Sequence, residues 1–245
     1  HPKWMGDDRG TLSMNSYKAF IEEREVSIYR FPYELVDSNM FFIPSGDTGI
    51  VFDPNENEEL LRVFQELGTR SVEIVLTHEH YDHTTGVKWL QSKIETRLFC
   101  HRACAEAIAT EKGNDPKTLG YILTLRDAVD GGHRRENFLA TAKRYMLRAD
   151  EAFDGDCGLK VGELVLRCHP APGHSPGSAL YFLGETAFFS GDSLIQHTPT
   201  IVHLPGSDRR AYKQETKPYL RSLDKDMMVF PGHGEPFKLG EAEFL

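Results

Sequence analysis

Thr77-His78-Glu79-His80-Tyr81-Asp82-His83 is the stretch on which the reading of this chain turns. It follows the apolar run Val72 to Leu76, short and rich in β-branched residues, so it stands where a buried strand gives way to a loop. Three imidazoles and a carboxylate within six residues are more metal-binding groups than one tetrahedral ion accepts from so short a segment. The ligands are therefore expected to be divided between two ions. Three later turns repeat the device, each placing a His or Asp beside glycine after an apolar run: Pro172-Gly173-His174-Ser175-Pro176-Gly177, Ser190-Gly191-Asp192-Ser193 and Pro231-Gly232-His233-Gly234. Glycine and proline fix tight turns, so each ligating side chain is carried on constrained backbone.

Working outward, strand-like segments begin at Glu25 and continue through Met40 to Ile43 and Ile50 to Phe52, ending at Asp53-Pro54. Asn57 can cap a helix whose apolar residues Leu60, Leu61, Phe64 and Leu67 recur at helical spacing before Gly68. From His101 to Arg148 the chain turns polar and helix-forming. Further strands are expected at Leu164 to Cys168, Ala179 to Leu183 and Thr186 to Ser190, then a helix near Asp208 to Ser222 and a last strand at Met227 to Phe230. The expected organisation is one domain over residues 1–245, with a loose N-terminal arm at 1–16 and a helical insertion at about 101–150.

The 245 residues are 40% hydrophobic, enough for a sizeable core, and no apolar run is long enough to span a bilayer. With 28 Lys and Arg against 37 Asp and Glu, the net charge of −9 argues against a general electrostatic hold on nucleic acid or an anionic membrane. Cys100, Cys104, Cys157 and Cys168 are too few for a disulfide framework and read as mostly buried free thiols. The start at His1, with no charged-then-apolar leader after it, reads as a processed end or a chosen boundary, and a cytoplasmic location is the expectation. The expected partner is a small-molecule substrate, with neither nucleic acid nor membrane; a homo-oligomer is compatible with the sequence.

The order His-x-His-x-Asp-His, a later His, an Asp and a final His resembles the metallo-β-lactamase superfamily from about Glu25 to the C-terminus, the insertion excepted. The resemblance implies an α/β (α+β) fold, a four-layer αββα sandwich with the metals in a cleft at the edge between two sheets. It implies that His78, His80 and His174 hold one ion, that Asp82, His83 and His233 hold the other, and that Asp192 bridges them. Asp53 matches an acidic residue that orients a ligand histidine, although the glycine usual two residues on is Asn55 here. Zinc suits such a donor set first, with iron and manganese also compatible. Two such ions activate a bridging hydroxide, and Asp82 is the candidate catalytic residue, orienting the hydroxide and passing its proton to the leaving group.

Within the superfamily the motif looks like glyoxalase II (hydroxyacylglutathione hydrolase), since all seven ligands are present and the second site has Asp and His. The implied activity is cleavage of an ester or thioester-type bond in a small anionic substrate. β-Lactamases of the family place Cys at the position of Asp192, and the lactonases place Tyr where this chain has Ile195, so both activities are disfavoured. A mononuclear iron oxidoreductase similar to persulfide dioxygenases and a metal-dependent phosphodiesterase are the alternatives. Substrate choice is expected in the insertion, whose Arg126, His133, Arg134, Arg135, Lys143, Arg144 and Arg148 are in excess of its surroundings. Arg134, Arg135, Tyr145 and His197 are the candidate substrate contacts.

Overall fold

The computed structural model describes residues 15–21 and 24–245. A seven-stranded sheet runs in the order of the sequence: β1 (Asn15–Ile21), β2 (Arg24–Tyr33), β3 (Ser38–Ser45), β4 (Thr48–Phe52), β5 (Ser71–Leu76), β6 (Glu95–His101) and β7 (Glu151–Phe153). Its first four strands pair antiparallel and its last four parallel, the change falling at β4. The second sheet contains β8 (Cys157–Val161), β9 (Leu164–Pro170), β10 (Ala179–Leu183), β11 (Ala187–Gly191), β12 (Met228–Pro231) and β13 (Phe237–Lys238), all antiparallel except β11 with β12.

The central strands are covered on both faces, which is why Met40-Phe41-Phe42-Ile43 and Ala179–Leu183 are apolar without alternation, whereas β8 and β9 alternate buried and exposed residues. Phe41, Ile43, Phe52 and Val75 point between the sheets and meet Leu166, Tyr181, Phe189 and Phe230. Phe52 and Phe189 stack at 3.9 Å between ring centroids, one of several aromatic pairs worth about 0.5–1.5 kcal/mol beyond their area. On the outer face of the first sheet, Met40, Phe42, Ile74 and Leu76 pack against α1 (Glu58–Leu67), α3 (Val87–Gln91) and α4 (Arg102–Ile108). On the outer face of the second, Leu180, Phe182 and Val229 pack against Leu220 of α8 (Lys217–Ser222), which continues α7 (Arg209–Ala211) through a π-helical turn at Tyr212–Thr216. The result is helix, sheet, sheet, helix. Asn57 caps α1 by accepting from Glu59 N at 2.9 Å, and Gly68 ends it in the left-handed conformation.

The stretch 101–150 contains α4, α5 (Lys117–Asp130) and α6 (Arg134–Thr141), followed by extended chain. Most of the expected N-terminal arm, residues 1–14, lies outside the described residues, but residues 15 and 16 already belong to β1 and add an edge strand rather than a loose arm. The strand at Met228–Pro231 is not the last: β13 pairs with it, returning Phe237 to the outer core. No helix among the described residues is long and apolar enough to cross a membrane.

Candidate metal centre

Parallel β4 and β5 in one sheet, and β11 and β12 in the other, finish at the same edge of the sandwich. Asp53 follows β4, His78 and His80 follow β5, Asp82 and His83 lie in the short α2 (Tyr81–Thr84), Asp192 follows β11 and His233 follows β12. His174 comes from the turn between β9 and β10. The fold brings all seven candidate ligands and Asp53 together.

Three ring nitrogens meet in the first cluster: His80 Nδ1 lies 3.1 Å from His78 Nε2 and 2.9 Å from His174 Nε2. His174 Nδ1 donates to Ile201 O at 2.9 Å, and His78 Nδ1 donates to Thr77 Oγ1 at 3.0 Å, so their Nε2 atoms carry lone pairs. Lone pairs therefore converge on His80 with too few protons among them. That is the donor set of a divalent cation. Burial pushes His80 down to about 3 and lowers His78 and His174 as well, holding the neutral, ligating form.

The second cluster is anionic. Asp82 Oδ2 lies 3.5 Å from His83 Nε2 and 3.3 Å from His233 Nε2. Burial works against the charge of Asp82, yet His83 and His233 hold it down at about 2. Burial likewise opposes a charge on His83, but Asp82, Asp192 and Asp53 raise it to about 9. Asp192 faces both clusters: Oδ1 is 3.5 Å from His83 Nε2, and Oδ2 is 3.5 Å from His233 Nε2 and 3.6 Å from His174 Nε2. His83 Nε2 and Asp192 Oδ1 are buried with no hydrogen-bond partner. Orphaned buried polar atoms of opposite ligating type, facing one another, fit a metal ion between them.

Asp53 serves both clusters at once. It accepts from His83 Nδ1 at 2.9 Å and from Thr77 Oγ1 at 2.5 Å, and Thr77 in turn takes the Nδ1 hydrogen of His78. One carboxylate thus sets the ring orientation of a histidine in each ligand set. It sits on strained backbone with φ +46°, so the positive angle falls at Asp53 itself, and Asn55 is free to bury its amide and donate to Phe31 O at 3.0 Å. Asp53, His78 and His83 also stand close enough to suggest a third ligand group, but the Asp53 carboxylate is already committed to Thr77 and His83.

Several positioning residues carry no ligand motif and were not singled out from the sequence. Glu79, whose pKa burial raises, accepts from Ser175 Oγ at 2.9 Å and ties the His174 turn to the first loop. Asn39 donates to Pro231 O and Gly234 O, gripping the His233 turn, and accepts from Arg30 Nε at 2.7 Å. Val36 O accepts from His233 Nδ1 at 3.0 Å. Gly232 is required by close approach: a Cβ there would stand 2.0 Å from Asp192 Oδ1.

The clusters form the floor of a cavity of about 220 Å³. One wall is α5, through Thr118, Leu119, Ile122 and Arg126; the other is the segment after Asp192, through Ile195, Thr198, Ile201 and Leu204. The four candidate substrate contacts are not among the lining residues. Arg134 is held on α5 by Asp127 and Asp130, Arg135 is exposed, and His197 is exposed and hydrogen-bonded to Glu243 at 2.7 Å. Tyr145 packs against Tyr81, which lines the cavity, and shares a 2.8 Å hydroxyl contact with Thr84. The cation that does line the cavity is Arg126, itself an exposed residue.

Comparison with known proteins agrees with this architecture. The chain is 28% identical over 208 residues to the probable metallo-hydrolase YqgX of Bacillus subtilis, covering 84% of this chain and 89% of that protein. It is 27% identical over 203 residues to a hydroxyacylglutathione hydrolase of Anaeromyxobacter dehalogenans, covering 80% of this chain but only 61% of that protein. Among solved structures, ETHE1 from Myxococcus xanthus superposes with a TM-score of 0.65 at 17% identity, covering 87% of this chain and 80% of that one. TTHA1623 in a di-iron-bound form superposes with a TM-score of 0.60 at 25% identity, covering 93% and 99%. The family described as the metallo-beta-lactamase superfamily matches residues 33–233, most of the sequence including every candidate ligand, and the chain belongs to that superfamily.

Proposed function

We propose that the protein is a dinuclear metal-dependent hydrolase that cleaves an ester or thioester-type bond in a small anionic substrate. The observation that carries this reading is Asp192, whose Oδ2 lies 3.6 Å from His174 Nε2 of one set and 3.5 Å from His233 Nε2 of the other, with Oδ1 3.5 Å from His83 Nε2, so one carboxylate stands within reach of both sets. His78, His80 and His174 would hold one ion and Asp82, His83 and His233 the other. Two divalent ions in these positions, zinc by donor type with iron or manganese compatible, would supply a nucleophilic water at neutral pH and polarise the scissile carbonyl.

The chain's own residues do the rest. Asp82 Oδ2 stands 3.5 Å from His83 Nε2 and 3.3 Å from His233 Nε2, where the carboxylate would orient the attacking water and hand a proton toward the leaving group. Asp53, through His83 directly and through Thr77 to His78, keeps both ligand sets in register. Leu119, Ile122, Ile195 and Ile201 flank the acyl portion and limit water around it. The hydroxyacylglutathione hydrolase relatives support thioester chemistry, and the di-iron form of TTHA1623 supports two ions in this fold.

Elemental analysis of protein purified without added metal, together with hydrolysis of an S-acyl thioester, tests the proposal. Two ions per chain and turnover abolished by His80→Ala are expected. A single iron per chain, with oxygen uptake on a persulfide and no thioester turnover, would overturn it in favour of the oxidoreductase.

A further inference from the structure

Positions 118, 122 and 126 succeed one another at four-residue steps, so one face of α5 forms the cavity wall, apolar at Ile122 and cationic at Arg126. Arg126 is the only Lys or Arg among the residues lining this cavity. It has no carboxylate partner at ion-pair distance among the described residues, whereas Arg134 on the next helix is matched to Asp127 and Asp130, and Arg144 to Asp115. Two backbone carbonyls fix its guanidinium instead: Val36 O at 2.7 Å and Leu35 O at 3.4 Å. These occupy two of its N–H groups and leave the others unpaired with protein. A long side chain is thereby held in one orientation before any ligand arrives, which lowers the ordering cost of binding.

The same Val36 carbonyl also accepts from His233 Nδ1 at 3.0 Å, so with the 2.7 Å contact above, the guanidinium stands at most about 6 Å from the ring of a candidate ligand. An oxyanion on Arg126 is therefore separated from the reacting end of a substrate by a short linker, roughly two to four carbons by extended-chain dimensions. Leu119 and Ile122 on one side and Ile201 on the other offer that linker apolar walls.

We propose that Arg126 seats the terminal carboxylate of a short ω-carboxyacyl substrate, a half-thioester or half-ester of a dicarboxylic acid, with its methylene linker in the slot beside α5. The assignment rests on the acyl-hydrolase reading above and adds the class of acyl group. Hydrolysis would add the oxygen of water to the acyl carbon, break the C–S bond, transfer a water proton to the departing sulfur, and release a thiol and a dicarboxylate.

The test uses the metal-loaded protein and matched five-carbon probes. Glutaric acid monoamide and pentanamide report binding by calorimetry; the S-glutaryl and S-pentanoyl thioesters of N-acetylcysteamine report turnover. Binding of the monoamide about tenfold or more tighter than the neutral amide is expected, from a charge-assisted pair to a preoriented guanidinium. Arg126→Gln should collapse that ratio toward one at unchanged metal content, and Arg126→Lys should retain part of it. Equal binding of the two amides by the unaltered protein overturns the proposal without recourse to any variant. A charge preference that survives in Arg126→Gln also overturns it, because the carboxylate would then be seated on the metal ions. If the binding preference is present and lost in Arg126→Gln while neither thioester turns over, the seat stands and the thioesterase reading fails.

Discussion

The ligand loops and the helical wall face each other across one cavity and are held in opposite ways. His83 and His174 are buried, and each has its second ring nitrogen pinned by a neighbour, Asp53 and Ile201 O respectively. Opposite them, α6 has no buried residue, and α5 is anchored through Leu119 and Leu123 to Val36 and Tyr81 while Tyr121, Leu125 and Val129 stay exposed. The floor has little room to change without losing its chemistry. The wall can change its lining while the floor stays intact, so under the proposed reading reaction type belongs to the sheet ends and substrate choice to the insertion.

The sharpest way to break this contrast is Gly232→Ala. The new Cβ would meet a carboxylate oxygen at 2.0 Å with backbone of Gly191 at 2.9 Å behind it, so Asp192 must move. Metal content by elemental analysis should fall to half or less, and kcat/KM by at least about 100-fold, as expected when a ligand leaves its position by an ångström. Next comes Asp53→Asn, which leaves the volume unchanged and removes the charge that orients His83. A loss of about 10–100-fold in metal affinity is expected, read by competition with a chromogenic chelator, with the far-UV dichroism unchanged. An unaltered affinity would show that the two ligand sets orient themselves.

Leu123→Ala probes the wall. Truncating a fully buried leucine should cost on the order of 2–4 kcal/mol locally, seen as earlier proteolysis of the insertion and a higher KM, with metal content unchanged. A fall in metal content instead would mean that floor and wall are one cooperative unit.

The smallest effect is expected from Glu73, far from both. Burial raises its pKa to about 6, and its Oε1 is buried with no hydrogen-bond partner. A carboxyl whose folded pKa is raised binds its proton more tightly in the folded state, so stability falls as pH rises from the unfolded value near 4.5 through about 6, and stays lower above. Glu73→Gln should therefore raise Tm by about 1–3 °C at pH 7.5 and bring little gain at pH 4, measured by calorimetry.

The candidate ligands were legible in the sequence because they sit in short motifs whose spacing is local, and the fold brings them to one edge. His78 to His83 span one loop, and His174, Asp192 and His233 each stand in a glycine-bearing turn after an apolar strand. The wall was less legible because charge density is not position, and none of the four expected substrate contacts lines the cavity. Arg134 and Arg135 stand in the most basic part of the insertion, yet Asp127 and Asp130 at the end of α5 pair with Arg134 at the start of α6 and hold it away from the cavity. Arg126 reaches the cavity only because α5 packs against Val36, a contact between residues ninety positions apart. Glu79, Thr77 and Asn39 look like ordinary polar residues until the fold supplies their partners. β1 escaped notice because an edge strand needs only one buried face, and its period-two pattern in a seven-residue segment is weak.

Each ligand set draws on both sheets: His78 and His80 from the end of β5 join His174 from beyond β9, and Asp82 and His83 join His233 from beyond β12. An ion held by either set would consequently be a rivet through the two halves of the sandwich at its open edge, where the hydrophobic filling between the sheets gives way to loops. Loading with metal would then act as mass-action stabilisation of the stacked arrangement, and a chelator would be a tool for unfastening that edge without touching the aromatic core behind it.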